Sequence, residues 1–402
     1  MQLKATTAAG LEDVLLQELH ILGATAAKRQ KGLISFDGDF GLLYSACLRL
    51  RTATRVLVPV ASSRVTDQDD LYRLGRSVNW MDWFSLDNTF SIDHSVHSRI
   101  FSNSQFAALK LKDAICDAFR DRTGKRPSVS LKDPDVRIHL HINEQECTIS
   151  MDGAGSSLSR RGYRLQAAEA PLSEALAAGL VLLAEPDFNL PFYDFMCGSG
   201  TIPLEAYMIK HDLACGAFRP RYAFENWKNF DSKRFNGILS EERAKWDQVS
   251  SREDHESEAT HRPSVKEDRN LQSESEPAAY DWIRGTDSSA EAIKAAKNNR
   301  RNLTLTSSDV AFETLTAEQI SDLPEAGTAI INPPYGERLS LEDAAAFYKE
   351  LGDIMKRSFK GWQVWVLSGN LEAFKGIGLK PSKKISLFNG PLACSFRRFD
   401  MY

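Results

Sequence analysis

The sequence predicts an α/β protein whose C-terminal part, from about residue 165, forms an open, mostly parallel sheet. Short apolar segments predict strands near residues 191–195, 281–286, 310–315, 328–331 and 362–367. Segments with helical periodicity separate these strands, which is typical of repeated βαβ units. A chain of 402 residues is long for one domain, so two or three domains are expected.

The apolar pattern of residues 1–60 predicts a smaller α+β unit. A short strand is followed by a helix whose apolar face is formed by Leu11, Val14, Leu15, Leu19 and Leu22. Predicted elements then follow in order: a strand over 32–38, a helix over 40–50 and a strand over 53–62.

Residues 61–157 predict a second α+β segment. A strand over 89–98 precedes a long amphipathic helix that begins at Ser104 and ends at Gly124. Two further strands, 136–142 and 146–152, are close enough for a hairpin. The remainder, 158–402, is predicted to be a single larger domain.

Charge divides the chain unevenly. Residues 1–164 hold 22 Lys/Arg against 19 Asp/Glu, a net charge of +3, whereas the remainder has a net charge of −7. Residues 251–277 account for −4 of that and contain almost no large apolar side chains. Such a segment cannot bury enough surface to order itself, so we interpret it as a solvated acidic insertion; an acidic interaction segment is the alternative.

Composition also limits the protein's location. The most apolar run, Ala175–Ala184, is far too short for a membrane span. The first ten residues lack the apolar core of a secretory signal. The six cysteines are dispersed and form no CxxC pair, which favours reduced thiols and a cytoplasmic protein.

A glycine-containing turn predicts a ligand site after the first strand of the larger domain. Asp194 ends that strand, and Gly198-Ser199-Gly200-Thr201 leads into a helix. Glycines allow a ligand to approach the backbone, and the helix N-terminus supplies amide donors. A turn that merely connects strand to helix is the alternative for the glycines alone. Cys197, next to this turn, is interpreted as a small lining residue because no neighbouring base would activate it as a nucleophile.

Asp287, at the end of the second strand, can accept both ribose hydroxyls of an adenosine. A dinucleotide fold places this acid about 20 residues after the glycines, but here 87 residues separate it from Gly200. The third glycine that packs a pyrophosphate is also missing. An adenosine ligand without a pyrophosphate therefore fits better, and S-adenosylmethionine is the obvious candidate.

The stretch Asn332-Pro333-Pro334-Tyr335 stops another strand at the same sheet edge. The Asn332 side-chain oxygen and the Pro333 carbonyl can accept the two hydrogens of a nucleobase amine. This aims the nitrogen lone pair at a methyl donor and stabilises the positive charge that develops. Tyr335 can stack on the base. No metal is needed.

These motifs resemble those of class I S-adenosylmethionine-dependent methyltransferases, whose amino-directed members carry (N/D)PP(Y/F/W). More closely, the chain resembles the THUMP-domain large-subunit rRNA guanine-N2 methyltransferases, which are often labelled N6-adenine-specific DNA methylases. The resemblance covers nearly the whole chain and rests on KLKDAICDAF, GKRPSV, RRGYR, AEAPLSEALAAG, CGSGTIPLEA, FENW and INPPYGERL. It is closest to the short form of the family, which has a single methyltransferase domain.

The resemblance implies a ferredoxin-like segment over 1–60, a THUMP RNA-binding domain over 61–157 and a Rossmann-like methyltransferase domain over 158–402. It further implies a set of cofactor-binding residues: Ala170, Pro171, Leu172, Asp194, Cys197, Gly198, Ser199, Gly200, Thr201, Asp287 and Ser288. Family members usually carry an Asp for the adenine amine where this chain has Thr316 or Ala317, with Glu318 nearby, and Met196 is a milder departure.

Basic residues before and at the domain junction are candidates for RNA phosphate contacts, with an ordinary solvated surface as an equal alternative. They are Lys110, Lys112, Arg122, Lys125, Arg126, Arg160, Arg161 and Arg164. His139 and His141 alternate along a strand, but without further ligands at metal spacing they are interpreted as packed or surface histidines.

We therefore predict a methyltransferase that uses S-adenosylmethionine to modify the N2 amine of a guanine in large-subunit rRNA or in a ribosome-assembly intermediate. Two other functions stay open at this point. The same corner could serve the N6 amine of adenine in DNA or RNA, or the chain could be a non-catalytic RNA-binding assembly factor.

Overall fold

A computed structural model describes residues 1–101, 103–164, 172–256, 282–334 and 341–402. The chain divides into two compact units. The first unit contains Met1–Thr7, Leu15–Arg160 and Arg219–Leu239, and the second contains Ala8–Val14, Arg161–Phe218 and Ser240–Tyr402.

The elements up to residue 152 alternate between strands and helices. In chain order they are β1 (Gln2–Thr7), α1 (Glu12–Ile21), β2 (Thr25–Gln30), β3 (Leu33–Asp37), α2 (Phe40–Arg49), β4 (Ala53–Arg64), α3 (Gln68–Ser77), β5 (Phe90–His97), α4 (Ser104–Thr123), β6 (Val136–Asn143) and β7 (Glu146–Asp152). The strands form one seven-stranded sheet in the order β2-β3-β1-β4-β7-β6-β5.

This sheet joins the two N-terminal segments that the sequence analysis separated at residue 60. Strand β4 runs across that position and pairs with β1 on one side and with β7 on the other, with Leu57 opposite Asp152. The predicted helix that ends at Gly124 is confirmed: Asn103 caps α4 through a bond from the Phe106 amide, and Gly124 follows it with φ +74°. Strand β2 and helix α3 were not predicted.

The second unit contains the first residues of α1 and the remaining strands. In chain order the elements are α5 (Glu174–Ala184), β8 (Phe192–Asp194), α6 (Thr201–Lys210), α7 (Ser232–Glu256), β9 (Ile283–Asp287), α8 (Ala290–Asn302), β10 (Ala311–Thr314), β11 (Gly327–Ile331), α9 (Leu341–Ser358), β12 (Trp362–Ser368), β13 (Lys383–Asn389) and β14 (Leu392–Asp400). The first residues of α7 belong to the first unit.

The strand order in this unit is β10-β9-β8-β11-β12-β14-β13. The first five strands of that order are mutually parallel, as predicted, whereas β14 pairs antiparallel with both β12 and β13. The order reverses direction at β8, so the carboxyl ends of β8 and β11 flank the crevice where ligands bind in open α/β sheets. The antiparallel pair β13–β14 was not predicted.

The structure bears on two further expectations, the acidic insertion and the FENW segment. Residues 251–256 extend α7, a helix that was not predicted there; 257–277 lie outside the described residues, so the solvated acidic insertion stays a prediction. The FENW segment belongs to the first unit, where Phe224 and Trp227 are in the apolar core with Tyr44.

All six cysteines are buried free thiols. Among the described residues, no helix is both long and apolar enough to cross a membrane.

Candidate active site

A cavity of about 540 Å³ opens at the carboxyl ends of the parallel strands in the second unit. Because β8 and β11 are neighbours with Ala329 opposite Tyr193, the residues that follow both strands meet at one edge. The cavity is lined by Leu172, Asp194, Phe195, Met196, Cys197, Gly198, Ser199, Thr201, Ile202, Asp287, Ser288, Thr316, Ala317, Glu318, Asn332, Pro334 and Phe347. Most of the predicted cofactor residues within the described ranges lie in this wall.

The glycine turn between β8 and α6 is tied to the end of β9. Gly198 has φ +53°, a conformation that favours glycine, and its amide donates to Asp287 Oδ2 at 2.9 Å. Gly200 does not line the cavity. It has φ +80°, and a Cβ there would lie 2.5 Å from the Phe312 ring, so its requirement for glycine comes from conformation and packing.

Asp194 is buried at the cavity wall, with 1% of its surface exposed. Its Oδ1 accepts a hydrogen bond of 3.1 Å from the Met196 amide. Burial raises the pKa of Asp194 well above its ordinary value, and the nearby Asp287 carboxylate adds to this effect. A ligand that carries positive charge, such as the methionine part of S-adenosylmethionine, would favour the ionised carboxylate.

Asp287, at the end of β9, ties two neighbouring turns together. Its Oδ2 accepts from the Gly198 amide and its Oδ1 from the Ser289 amide, both at 2.9 Å. Each carboxylate oxygen can accept a second bond, so both ribose hydroxyls can still be bound. The residues present therefore fit S-adenosylmethionine at its ribose and at its methionine end.

The turn that follows β10, where the resemblance implies an adenine contact, also lines the cavity. Thr316, Ala317 and Glu318 all line the wall, at the place where the family usually has an Asp. The Thr316 side chain donates to Glu318, which lowers the pKa of that carboxyl group, so Glu318 is an ionised acceptor at neutral pH. Met196 also lines the wall.

Asn332 follows β11 directly and lines the same cavity. Its side-chain oxygen, Oδ1, is buried and has no hydrogen-bond donor among the described residues. A buried acceptor without a partner costs about 1–3 kcal/mol, so this oxygen could bind a ligand that supplies the donor.

The predicted corner also includes the three residues after Asn332, and only one of them is seen to line the cavity. Pro334 lines the wall, whereas Pro333 is buried and does not. Tyr335 lies outside the described residues, as do Ala170 and Pro171 of the predicted cofactor loop.

The prediction of RNA phosphate contacts is wrong for Arg161 and Arg164. The Arg161 side chain is 1% exposed and faces buried Glu205, with Nε 3.4 Å from Oε1. The Arg164 side chain is also largely buried, with 10% of its surface exposed. Its Nη2 donates to the Leu172 carbonyl at 2.9 Å and to Thr201 Oγ1 at 2.7 Å. Arg164 thereby connects two residues of the cavity wall.

Three of the other predicted RNA contacts are paired with acids on the α4 surface. Lys110 lies 3.3 Å from Asp69, while Lys112 and Arg126 lie 2.7 Å from Asp113 and Asp117 respectively. Arg122 donates to the Asn79 side chain. Lys125 and Arg160 are exposed.

Sequence reasoning did not name Phe195, Ile202 or Phe347 in the cavity wall, nor Asn299 beside the glycine turn. Phe347, on α9, contributes an aromatic ring to the cavity wall. Asn299, on α8, is buried, and its Nδ2 donates to the Ser199 carbonyl at 3.0 Å, which fixes the glycine turn. The aromatic residue on a predicted helix was the only available signal for Phe347; Asn299 had none.

The burial of Cys197 raises the pKa of its thiol well above the ordinary value, which makes it a poor nucleophile. Within the described parts of the chain, no group of three or more His, Cys, Asp or Glu side chains could hold a metal ion. His139 and His141 lie on the partly exposed face of β6.

Family comparisons match three consecutive segments. Residues 2–57 match the RlmL ferredoxin-like domain, 65–152 the THUMP domain and 161–398 the RMKL-like methyltransferase domain. A candidate RNA methyltransferase from Synechocystis sp. is 36% identical over 99% of this chain and 96% of its own length. The ribosomal RNA large subunit methyltransferase K/L of Syntrophotalea carbinolica is 35% identical over 99% of this chain, which spans 53% of that longer protein.

Two solved structures resemble this protein over the whole length of the chain. One, described as a candidate methyltransferase complexed with SAH, is 26% identical with a TM-score of 0.80 and covers 100% of this chain and 98% of its own. Another, a predicted N6-adenine-specific DNA methylase from Listeria monocytogenes, is 28% identical with a TM-score of 0.81 and covers 100% and 96%. The predicted fold class and the S-adenosylmethionine cofactor are thus confirmed, and the chain belongs to the family of THUMP-containing proteins with an RMKL-like class I methyltransferase domain.

Proposed function

We propose that this protein transfers a methyl group from S-adenosylmethionine to the exocyclic N2 amine of a guanine in large-subunit rRNA, in the cytoplasm. The observation that carries the proposal is the buried Oδ1 of Asn332, which no described residue supplies with a hydrogen bond, in the wall that also contains Asp194 and Asp287. The THUMP segment and the relatives named as large-subunit rRNA methyltransferases support RNA as the substrate.

The chain's own groups account for the chemistry as follows. Asn332 Oδ1 accepts a hydrogen of the base amine, with the Pro333 carbonyl as the predicted second acceptor. The amine is thereby oriented, and the charge that develops on its nitrogen is stabilised. Asp194 and Asp287 would hold the cofactor beside Asn332, and the oriented amine would accept the methyl group that the cofactor supplies and release one proton to solvent. S-Adenosylmethionine, when bound, supplies the electrophilic methyl group.

The substrate guanine must leave its stack to enter the cavity, at a cost of a few kcal/mol. Aromatic contacts offset this cost by about 1–3 kcal/mol per base. Tyr335 is the predicted stacking residue, and Phe347 is a second aromatic ring in the wall.

The test is the substitution Asn332→Ala, with Asn332→Asp as the matched control that keeps an acceptor oxygen. We expect Asn332→Ala to lower kcat about 100- to 1,000-fold while cofactor affinity, measured by calorimetry, changes less than about threefold. Asn332→Asp should retain more activity. Wild-type kcat in the alanine variant would refute the assigned role.

The methylated nucleoside identifies the substrate. Large-subunit rRNA from cells that lack this protein, incubated with it and S-adenosylmethionine, should yield N2-methylguanosine by mass spectrometry. N6-methyladenine in rRNA, or in a matched DNA duplex, would instead support the adenine alternative, which the name of the Listeria relative suggests. Binding without any methylation would favour the non-catalytic assembly factor.

A further inference from the structure

The first unit contains a polar pocket of about 160 Å³ that the proposed methyl transfer does not use. Its wall comes from the loop before β6, the segment after β7 and the turn near residue 223. This volume is several times the ~30 Å³ that one water molecule takes up. The charged residues of the wall are Lys132, Asp133, Asp135, Arg137, Arg160 and Arg221.

The cations of this pocket exceed its acids by two, and two of them are uncommitted. Arg221 pairs with Asp133, and Arg137 Nη1 donates to Asp93 at 3.0 Å. Lys132 and Arg160 form no ion pair within the part of the chain that the structure describes. This differs from the α4 surface, where Lys110, Lys112 and Arg126 each face an acid.

A third donor is also available in the pocket wall. Arg137 Nε is buried and has no hydrogen-bond acceptor among the residues that the structure describes, although its Nη1 is bonded to Asp93. The opposing Asp135 carboxylate is engaged by Thr89, from the backbone amide at 2.8 Å and from the hydroxyl at 2.9 Å. A buried N–H without an acceptor, beside two unpaired cations, is the donor set that an oxyanion would satisfy.

The pocket wall is held in place before any ligand arrives. The Arg219 guanidinium donates to the carbonyls of Ala154, Ser156, Ser157 and Arg160, at distances of 2.9–3.2 Å. Four bonds from one side chain fix the loop that carries Arg160. The backbone at Arg160 is thereby preorganised, which lowers the entropy cost of binding there.

We propose that this pocket binds a phosphoryl group through Lys132, Arg160 and Arg137 Nε, either as a phosphodiester of bound RNA or as a free phosphate ion. Guanidinium and ammonium groups bind phosphate through charge-assisted hydrogen bonds. The RNA form of the proposal rests on the proposed function. There the pocket positions the RNA without reading its sequence.

The test measures the affinity of the full-length protein for a large-subunit rRNA transcript by filter binding at several salt concentrations. For Lys132→Gln/Arg160→Gln we expect affinity at low salt to fall at least about tenfold, with the slope of log K against log [salt] reduced by about two. Lys31→Gln, an exposed lysine outside the pocket, is the matched control and should leave the slope unchanged. The charge-retaining pair Lys132→Arg/Arg160→Lys should restore most of the slope.

A second arm identifies the source of the phosphoryl group. Inorganic phosphate should raise the melting temperature of the wild type above that in chloride at equal ionic strength, and the Gln pair should lose this effect. A phosphate effect without a change in the RNA slope assigns the pocket to free phosphate. If the Gln pair matches Lys31→Gln in both arms, the pocket proposal is overturned.

The proposed function fails separately from this inference. Wild-type protein that binds no rRNA would contradict the proposed function, while the phosphate arm would still test the pocket. Unchanged cofactor affinity in the Gln pair would show that the second unit is folded.

Discussion

The two seven-stranded sheets of this protein place their polar groups differently. In the second unit β8 and β11 are buried throughout, so polar side chains gather where the strands end, at Asp194 and Asn332. In the first unit β6 alternates buried apolar residues with partly exposed Arg137, His139 and His141. A parallel sheet covered on both faces concentrates chemistry at one edge, whereas a sheet with one open face displays it along the strands.

Buried titratable groups in the two sheets therefore respond to pH in opposite directions. Burial lowers the pKa of His139 to about 4, and Arg55 and His141 act in the same direction, while Asp93 opposes them. Burial raises the pKa of Asp194 instead. Folding disfavours the charged form of both groups, so acid destabilises the first unit through His139 and base destabilises the second through Asp194.

Arg160 and Arg161 are adjacent in sequence but belong to different units. We expect the largest difference in the free energy of unfolding between substitutions of these two residues. Arg161→Met leaves the buried Glu205 carboxylate without its ion-pair partner. We expect a loss of about 3–5 kcal/mol in the free energy of unfolding, measured by urea denaturation. Arg160→Gln, at an exposed position, should change it by less than about 0.5 kcal/mol. Equal effects of the two substitutions would contradict this contrast.

We expect the next largest effect, on the pH dependence of unfolding, from substitution of His139. Its stabilising contribution is complete above the ordinary pKa of 6.5 and is lost as the pH falls towards about 4. The loss is of the order of 1–3 kcal/mol. His139→Gln should abolish this part of the pH dependence of unfolding, whereas substitution of the exposed His20 should not. A proton NMR titration of His139 with a midpoint near 6.5 would contradict the prediction.

Asp194→Asn tests the opposite pH dependence of stability in the second unit. Above the ordinary Asp pKa the unfolded chain releases this proton while the buried carboxyl group retains it, so stability falls as the pH rises and the neutral amide should be more stable. At pH 8 we expect its melting temperature to rise by about 2–4 °C, the shift that ~1 kcal/mol gives in a domain of this size. At pH 4 the gain should shrink. Cofactor affinity should fall at least about tenfold, which separates stability from function.

Much of this arrangement could be predicted from the sequence, for identifiable reasons. Strands buried on both faces appear as apolar runs, which located β8, β11 and β12, and prolines that cannot continue a sheet marked the corner at Asn332. Polar edge strand β2 is almost fully exposed, so no such pattern revealed it. Strand β13 is likewise mostly exposed or partly buried.

Burial of individual charges could not be predicted, because it depends on distant contacts. Nothing in RRGYR distinguishes Arg160 from Arg161, yet one is exposed and the other faces Glu205, 44 positions away. Asn299 likewise fixes Ser199 across 100 positions. Local patterns report the periodicity of an element, and pairing of buried polar groups is decided by the packing of elements against each other.

The smallest effect we expect concerns Glu318, where the family usually has an Asp. Glu318→Gln should weaken cofactor affinity about fivefold if this carboxylate accepts the adenine amine, since a hydrogen bond is worth about 1 kcal/mol. Glu313→Gln, at an acid outside the cavity wall, is the control. With a cofactor analogue that carries oxygen in place of the 6-amino group, Gln can donate where Glu cannot, so the order of affinities should invert. A uniform loss for both ligands would show that Glu318 acts through the turn conformation and leaves the adenine amine to another acceptor.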